Sequence, residues 1–259
     1  MRTSFITSPD GTQITYDVIG KGPVIILLHG GGIGWSRKKW HQVGYVARLK
    51  DKYKVISIDI RGNGESGKPI LPTDYAIDRI CEDILAVADA CEVERFIIWG
   101  YSYGGNIGRF LAARSERVSK IIIVGIPLGL AASGEFRQFI YDFRDHWKPL
   151  IQAQLDGTLE LNALSKDDQT LMKEMDIPVT LAWLVAMLDW GVIEPADLPC
   201  STLWLSGSEN KNTIDSMKNY EPELKKSNVQ VQIIKGLDHV QEFEKIDLVF
   251  PVMLAFTIS

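Results

Sequence analysis

Long apolar runs are missing from this sequence of 259 residues. None approaches the roughly 20 residues that a helix needs to span a bilayer. The N-terminal Met1-Arg2-Thr3-Ser4-Phe5-Ile6-Thr7 holds no apolar stretch of the kind that marks a signal peptide. Cysteine is scarce. Cys81, Cys91 and Cys200 are odd in number and no pair has metal-ligand spacing, so neither a disulfide framework nor a zinc site is indicated. They read as buried thiols in a reducing compartment, so a cytoplasmic protein is expected. An excess of positive charge is also lacking. The net charge is −5, and the basic clusters Arg37-Lys38-Lys39 and Lys225-Lys226 are too short to track a phosphate backbone, so neither nucleic acid nor a membrane is expected as a partner. There is no internal repeat and no low-complexity segment.

What is present is an ordinary globular composition, 46% apolar and 24% charged, long enough for one large domain with an insertion. Residues 1–19 read as two antiparallel strands around the turn Pro9-Asp10-Gly11. Short continuous apolar runs then recur at Val24–Leu28, Val55–Asp59, Phe96–Trp99 and Ile121–Val124, as strands covered on both faces do. A helical pattern, Ile77, Ile80, Cys81, Ile84, Val87 and Ala88, sits between two of them. This alternation predicts an α/β fold with a doubly wound, mostly parallel sheet. It breaks after the sixth strand. Residues 128–197 show no convincing strand and are rich in aromatics and methionine. They read as a helical insertion in a core made of residues 1–127 and 198–259, where strand patterns resume at Ser201–Leu205 and Val229–Ile234. Tyr101, Trp147 and Trp183 are the aromatic candidates for contact with a small-molecule substrate.

The chemistry is announced by Gly100-Tyr101-Ser102-Tyr103-Gly104, set between a strand-like run and a helical pattern. A Gly-x-Ser-x-Gly turn in that context lifts a serine hydroxyl out of the sheet. A hydroxyl is a poor nucleophile at neutral pH and needs a base, an orienting group and donors aimed at the developing oxyanion. Of the four histidines, only His239 follows the last strand, in a loop that can deliver it to Ser102. The glycine run Gly30-Gly31-Gly32 follows another strand, so a backbone N–H of Gly31 or Gly32, together with that of Tyr103, is the expected oxyanion hole. The run lacks the Gly-Lys-Ser/Thr ending of a phosphate-binding loop.

These features in this order resemble the α/β-hydrolase-fold superfamily, of the serine-nucleophile esterase, C–C hydrolase and haloperoxidase-like type. The resemblance covers nearly the whole chain. It rests on His29-Gly30, on Asp59-Ile60-Arg61-Gly62-Asn63-Gly64-Glu65-Ser66, on the serine turn, and on His239 with Glu244 five residues later. It implies that the insertion is a cap and that no metal, flavin or nucleotide is needed.

The chain departs from the family's pattern at the acid. The family's Gly-x-x-Asp after the strand at Ser201–Leu205 is here Gly207-Ser208-Glu209-Asn210, and Gly125-Ile126-Pro127-Leu128-Gly129, the other place for an acid, has no carboxylate. Three readings stand. Glu209 swings in, Asn210 orients the imidazole through its amide oxygen, or the triad is impaired. The expected activity is hydrolysis of a small-to-medium apolar ester, lactone or thioester through an acyl-enzyme. The alternatives are a C–C hydrolase or haloperoxidase-like enzyme, or a ligand-binding, receptor-like protein with weak turnover, a reading motivated by Asn210.

Overall fold

A computed structural model describes residues 2–258 of the chain. Eight strands form one sheet: β1 (Arg2–Thr7), β2 (Gln13–Ile19), β3 (Val24–Leu28), β4 (Lys54–Ile58), β5 (Phe96–Tyr101), β6 (Val118–Val124), β9 (Ser201–Gly207) and β10 (Val229–Ile234). Their spatial order is β1-β2-β4-β3-β5-β6-β9-β10. β2 pairs antiparallel with β1 and with β4, and every other pairing is parallel.

Residues alternate between the two faces of a strand, so both faces of this sheet must be covered. On one face Ile26, Ile56, Ile98 and Ile121 pack against α3 (Ile77–Ala90) and α4 (Tyr103–Arg114). On the other, Ile25, Val55, Trp99 and Ile122 pack against Trp40 of α1 (Lys38–Val43), Tyr45 of α2 (Tyr45–Leu49) and Phe250 of the C-terminal helix. The apolar stripe read on residues 77–90 is the buried side of α3.

The polar motif at 59–66 belongs to this framework. Arg37 lies between Asp17, Asp59 and Glu65, while Arg61 reaches Asp83 at 2.6 Å and Asp10 at 2.7 Å. The Ser66 hydroxyl donates to the Asp59 carbonyl at 2.6 Å and accepts from the Thr15 amide at 2.8 Å, which ties this loop to β2.

Between β6 and β9 lie α5 (Gly134–Leu155), α6 (Lys166–Glu174) and α7 (Ile177–Ala186), and between β9 and β10 lie α8 (Lys211–Asn219) and α9 (Glu221–Leu224). Two helices of the first group carry side-chain caps. Ser165 accepts from the Asp168 amide, and Asp176 accepts from the Val179 amide. One expectation is corrected here. Two strands do occur in the stretch between β6 and β9, β7 (Gly129–Leu130) and β8 (Val192–Ile193), paired antiparallel. At two residues each they are too short to leave a period in the sequence, yet they bring together the two ends of the helical segment. Among the described residues no helix is long and apolar enough to cross a membrane.

The chain passes from β3 to β4 on one side and then to β5 on the other. The loops after β3 and β5 therefore part at the carboxyl edge, where open α/β sheets form a crevice.

Candidate active site

β5 runs fully buried to Tyr101, and α4 begins at Tyr103. Ser102, between them, has φ 51° and ψ −117°, a positive φ that costs a non-glycine residue about 1–3 kcal/mol. Neighbouring backbone holds it there: the Ser102 amide donates to the Val124 carbonyl and the Asn106 amide donates to the Ser102 carbonyl, both at 2.9 Å. Gly104 permits the turn because a Cβ on it would overlap the Leu28 carbonyl at the end of β3.

The loop after β10 carries His239, followed by α10 (Gln241–Glu244) and α11 (Ile246–Ile258). His239 Nε2 lies 3.0 Å from Ser102 Oγ. Tyr101 stacks on the imidazole at 5.2 Å between ring centroids, and its hydroxyl donates to the His239 carbonyl at 2.8 Å. The other ring nitrogen, Nδ1, lies 3.0 Å from Glu242 Oε2. Glu242 is fully buried. Its Oε1 accepts from the Gly207 amide at 2.6 Å and from the Ser206 hydroxyl at 2.8 Å, and both carboxylate oxygens accept from Asn210 Nδ2 at 3.1 Å. Desolvating a carboxylate is costly, and these donors offset that cost.

The carboxylate on His239 is therefore neither of the two expected candidates. Glu209 sits exposed on the turn after β9, and its carboxylate accepts from the Ser208 hydroxyl at 2.8 Å. Asn210 does approach the imidazole, with Nδ2 3.3 Å from His239 Nδ1, but with its nitrogen and not its oxygen. Nδ2 also donates to the Gly125 carbonyl at 3.0 Å, while Oδ1 caps α8 by accepting from the Thr213 amide at 3.4 Å. A nitrogen surrounded by a carbonyl and a carboxylate must be the donor end of the amide. The sequence reading missed Glu242. The signal was its position three residues after His239, across the turn that leads into α10. Glu244, two positions on, is exposed.

The other histidines are engaged elsewhere. His29 is fully buried, and burial pushes its pKa below 6.5. Its Nε2 accepts from the Ile60 amide at 3.1 Å, so Nδ1 carries the proton and donates to the Gly30 carbonyl at 2.6 Å. It braces the glycine loop. His41 lies 3.3 Å from Asp17, and exposed His146 lies 2.9 Å from Asp168.

A cavity of about 900 Å³ opens over Ser102 and His239. Gly31, Gly32 and Tyr103 line it beside the serine. The Tyr103 amide is the first of α4, a position whose N–H has no partner within the helix. Trp183 lines the cavity, and a Cβ on Gly31 would press against its ring. The two other aromatic candidates do not line it. Tyr101 lies behind His239, and Trp147 is buried in α5 against Phe143. Phe136, Phe139, Phe143 and Met175 line it as well. Among the described residues no group of three or more His, Cys, Asp or Glu is placed to hold a metal ion.

Comparison with known proteins places this geometry in context. A 3-oxoadipate enol-lactonase 2 of Acinetobacter baylyi is 32% identical over 119 residues, which are 46% of this chain and 43% of that protein. The human epoxide hydrolase 4 is 31% identical over 107 residues, 40% of this chain and 28% of that one. The matched segments thus span less than half the length of these curated relatives. An esterase of Exiguobacterium antarcticum superposes over the whole of both chains with a TM-score of 0.75 at 18% identity, a likeness of fold. The family model described as "alpha/beta hydrolase fold" matches residues 23–176, the stretch that holds the glycine loop, the serine turn and most of the helical segment, and the chain belongs to that family.

Proposed function

We propose that the chain is a serine hydrolase that cleaves a small-to-medium, apolar carboxylic ester, lactone or thioester through an acyl-enzyme. One observation carries this reading: the unbroken hydrogen-bond chain Ser102 Oγ–His239 Nε2 and His239 Nδ1–Glu242, which ends in the cavity. With Nδ1–H directed at the Glu242 carboxylate, Nε2 presents a lone pair to the serine hydroxyl. As Oγ attacks the substrate carbonyl carbon, its proton passes to Nε2. Glu242 stabilises the resulting imidazolium. The N–H groups of Tyr103 and of Gly31 or Gly32 take the negative charge on the carbonyl oxygen. The proton on Nε2 then goes to the leaving oxygen or sulfur as that bond breaks. Water enters, gives a proton to Nε2 and attacks the acyl-enzyme, and the acid product departs as Ser102 regains its proton.

The lining supports the substrate class. Phe136, Phe139, Phe143 and Trp183 offer apolar surface, and among the described residues no lysine or arginine lines the cavity to receive an anionic substrate. The name of the Acinetobacter relative, an enol-lactonase, agrees with a lactone as the bond that is cleaved. Ser102 stands where epoxide opening through an aspartyl ester would need a carboxylate. The ligand-binding alternative was motivated by a missing acid, and a buried carboxylate now occupies that contact. The test is intact-mass analysis after fluorophosphonate treatment, with turnover of a p-nitrophenyl ester series. One label on Ser102 and loss of turnover in S102A are expected. An unlabelled, folded protein would overturn the proposal.

A further inference from the structure

We infer that Asn210 is a positioning residue. Glu242 orients His239, while Asn210, in the loop after β9, holds Glu242. The inference rests on the proposed role of Glu242 and goes beyond it.

Nδ2 of Asn210 has two hydrogens. Around it lie the Gly125 carbonyl at 3.0 Å, both oxygens of Glu242 at 3.1 Å and His239 Nδ1 at 3.3 Å. Nδ1 itself donates to Glu242, so it offers Asn210 no lone pair, and the two hydrogens go to Gly125 and to the carboxylate. The buried anion is thereby satisfied by neutral donors alone: Gly207 N–H, the Ser206 hydroxyl, the Asn210 amide and His239 Nδ1–H. An aspartate at position 210 would lose the bond to the Gly125 carbonyl and put a second carboxylate against the first. Two carboxylates in contact cannot both ionise. Restoring the family's aspartate in this chain is thus a loss and not a repair.

The same geometry makes the pair reversible. Position 210 is within hydrogen-bond reach of Nδ1. In N210D/E242Q the amide oxygen introduced at position 242 keeps the Gly207 and Ser206 donors. The amide nitrogen there faces the carboxylate introduced at position 210, which accepts from Nδ1–H. The experiment compares kcat and KM of N210A, N210D, E242Q and N210D/E242Q on one p-nitrophenyl ester, with circular dichroism to check folding. An amide in place of the triad acid lowers kcat about 10⁴-fold, so E242Q is expected to fall by roughly that factor with KM little changed. N210D/E242Q is expected to recover about a hundredfold or more over E242Q. N210A and N210D are each expected to lose about tenfold in kcat or more. If E242Q turns over like the wild type, Glu242 is not the acid and the underlying reading fails. If E242Q is slow but the folded double variant is no faster, the reversibility of the pair is refuted while the role proposed for Glu242 stands. A kcat for N210A equal to that of the wild type overturns the positioning role whatever the double variant does.

Discussion

Gly125 shows how closely single residues are tuned around His239. It has φ 77°, and a Cβ on it would overlap Glu242 Oε2 and crowd His239 Nδ1. An alanine there pays a left-handed backbone cost of about 1–3 kcal/mol and displaces the carboxylate as well. We expect G125A to lower kcat/KM at least about a hundredfold on a p-nitrophenyl ester, with E209Q, which alters only an exposed turn, unchanged within about twofold. Equal loss in both variants would contradict the placement of the acid. Sequence reading reached Ser102 and His239 because each sits in a local pattern: the serine in a strand–turn–helix signature, the histidine alone after the last strand. It passed over Glu242 because a carboxylate in a run with Glu244 looks like solvated surface, and only the fold shows that one of the two is fully buried.

At the scale of elements, the β7–β8 ribbon is fastened to α4 by Arg109, a fully buried guanidinium. Nε donates to Asn106 Oδ1 at 2.9 Å, Nη2 to the Leu130 carbonyl at 3.1 Å and Nη1 to the Ile193 carbonyl at 3.4 Å. Burial lowers its pKa to about 9, and among the described residues it forms no ion pair. R109M keeps an unbranched apolar stem and removes these donors, leaving buried acceptors unpaired at about 1–3 kcal/mol each, partly offset because a charge is no longer buried. Asn106 and Leu130 both line the cavity. The variant should therefore raise KM for a long-chain ester several-fold while kcat for the acetyl ester changes little, and an unchanged KM would contradict the ribbon's part in shaping the cavity. The helices of this segment were legible from composition, whereas its strands were not. A two-residue strand is defined by its partner and carries no period of its own.

For the whole molecule the relevant property is stability against pH. His29 and His41 have folded-state pKa values held below 6.5, in both cases chiefly by burial. Unfolding lets them bind protons that the native state refuses, so stability is lost as pH falls below 6.5. Asp10 acts lower on the scale. Partial burial opposes its ionisation, but hydrogen bonds from Arg61 and Thr12 prevail and hold its pKa at about 2, against an ordinary 3.8. Its contribution is present above 3.8 and is lost as pH falls from there toward about 2. Urea midpoints at pH 8, 5 and 3 should fall in two steps, and D10N should flatten the lower one. A midpoint constant from pH 8 to pH 5 would contradict the buried, neutral state of His29.

The sequence by itself determined the alternation of strands and helices, the elbow at Ser102 and the loop that carries His239. Those depend on neighbours along the chain: side-chain period, glycine spacing and the order of elements. Tertiary structure decided which carboxylate meets the imidazole, which way the Asn210 amide points and which aromatics face the cavity. The three loops that meet around the Glu242 carboxylate, after β6, β9 and β10, come together only because the sheet sets those strands side by side. Whether a glutamate is solvated or buried among donors depends on that meeting, a distance in space that no spacing along the chain records.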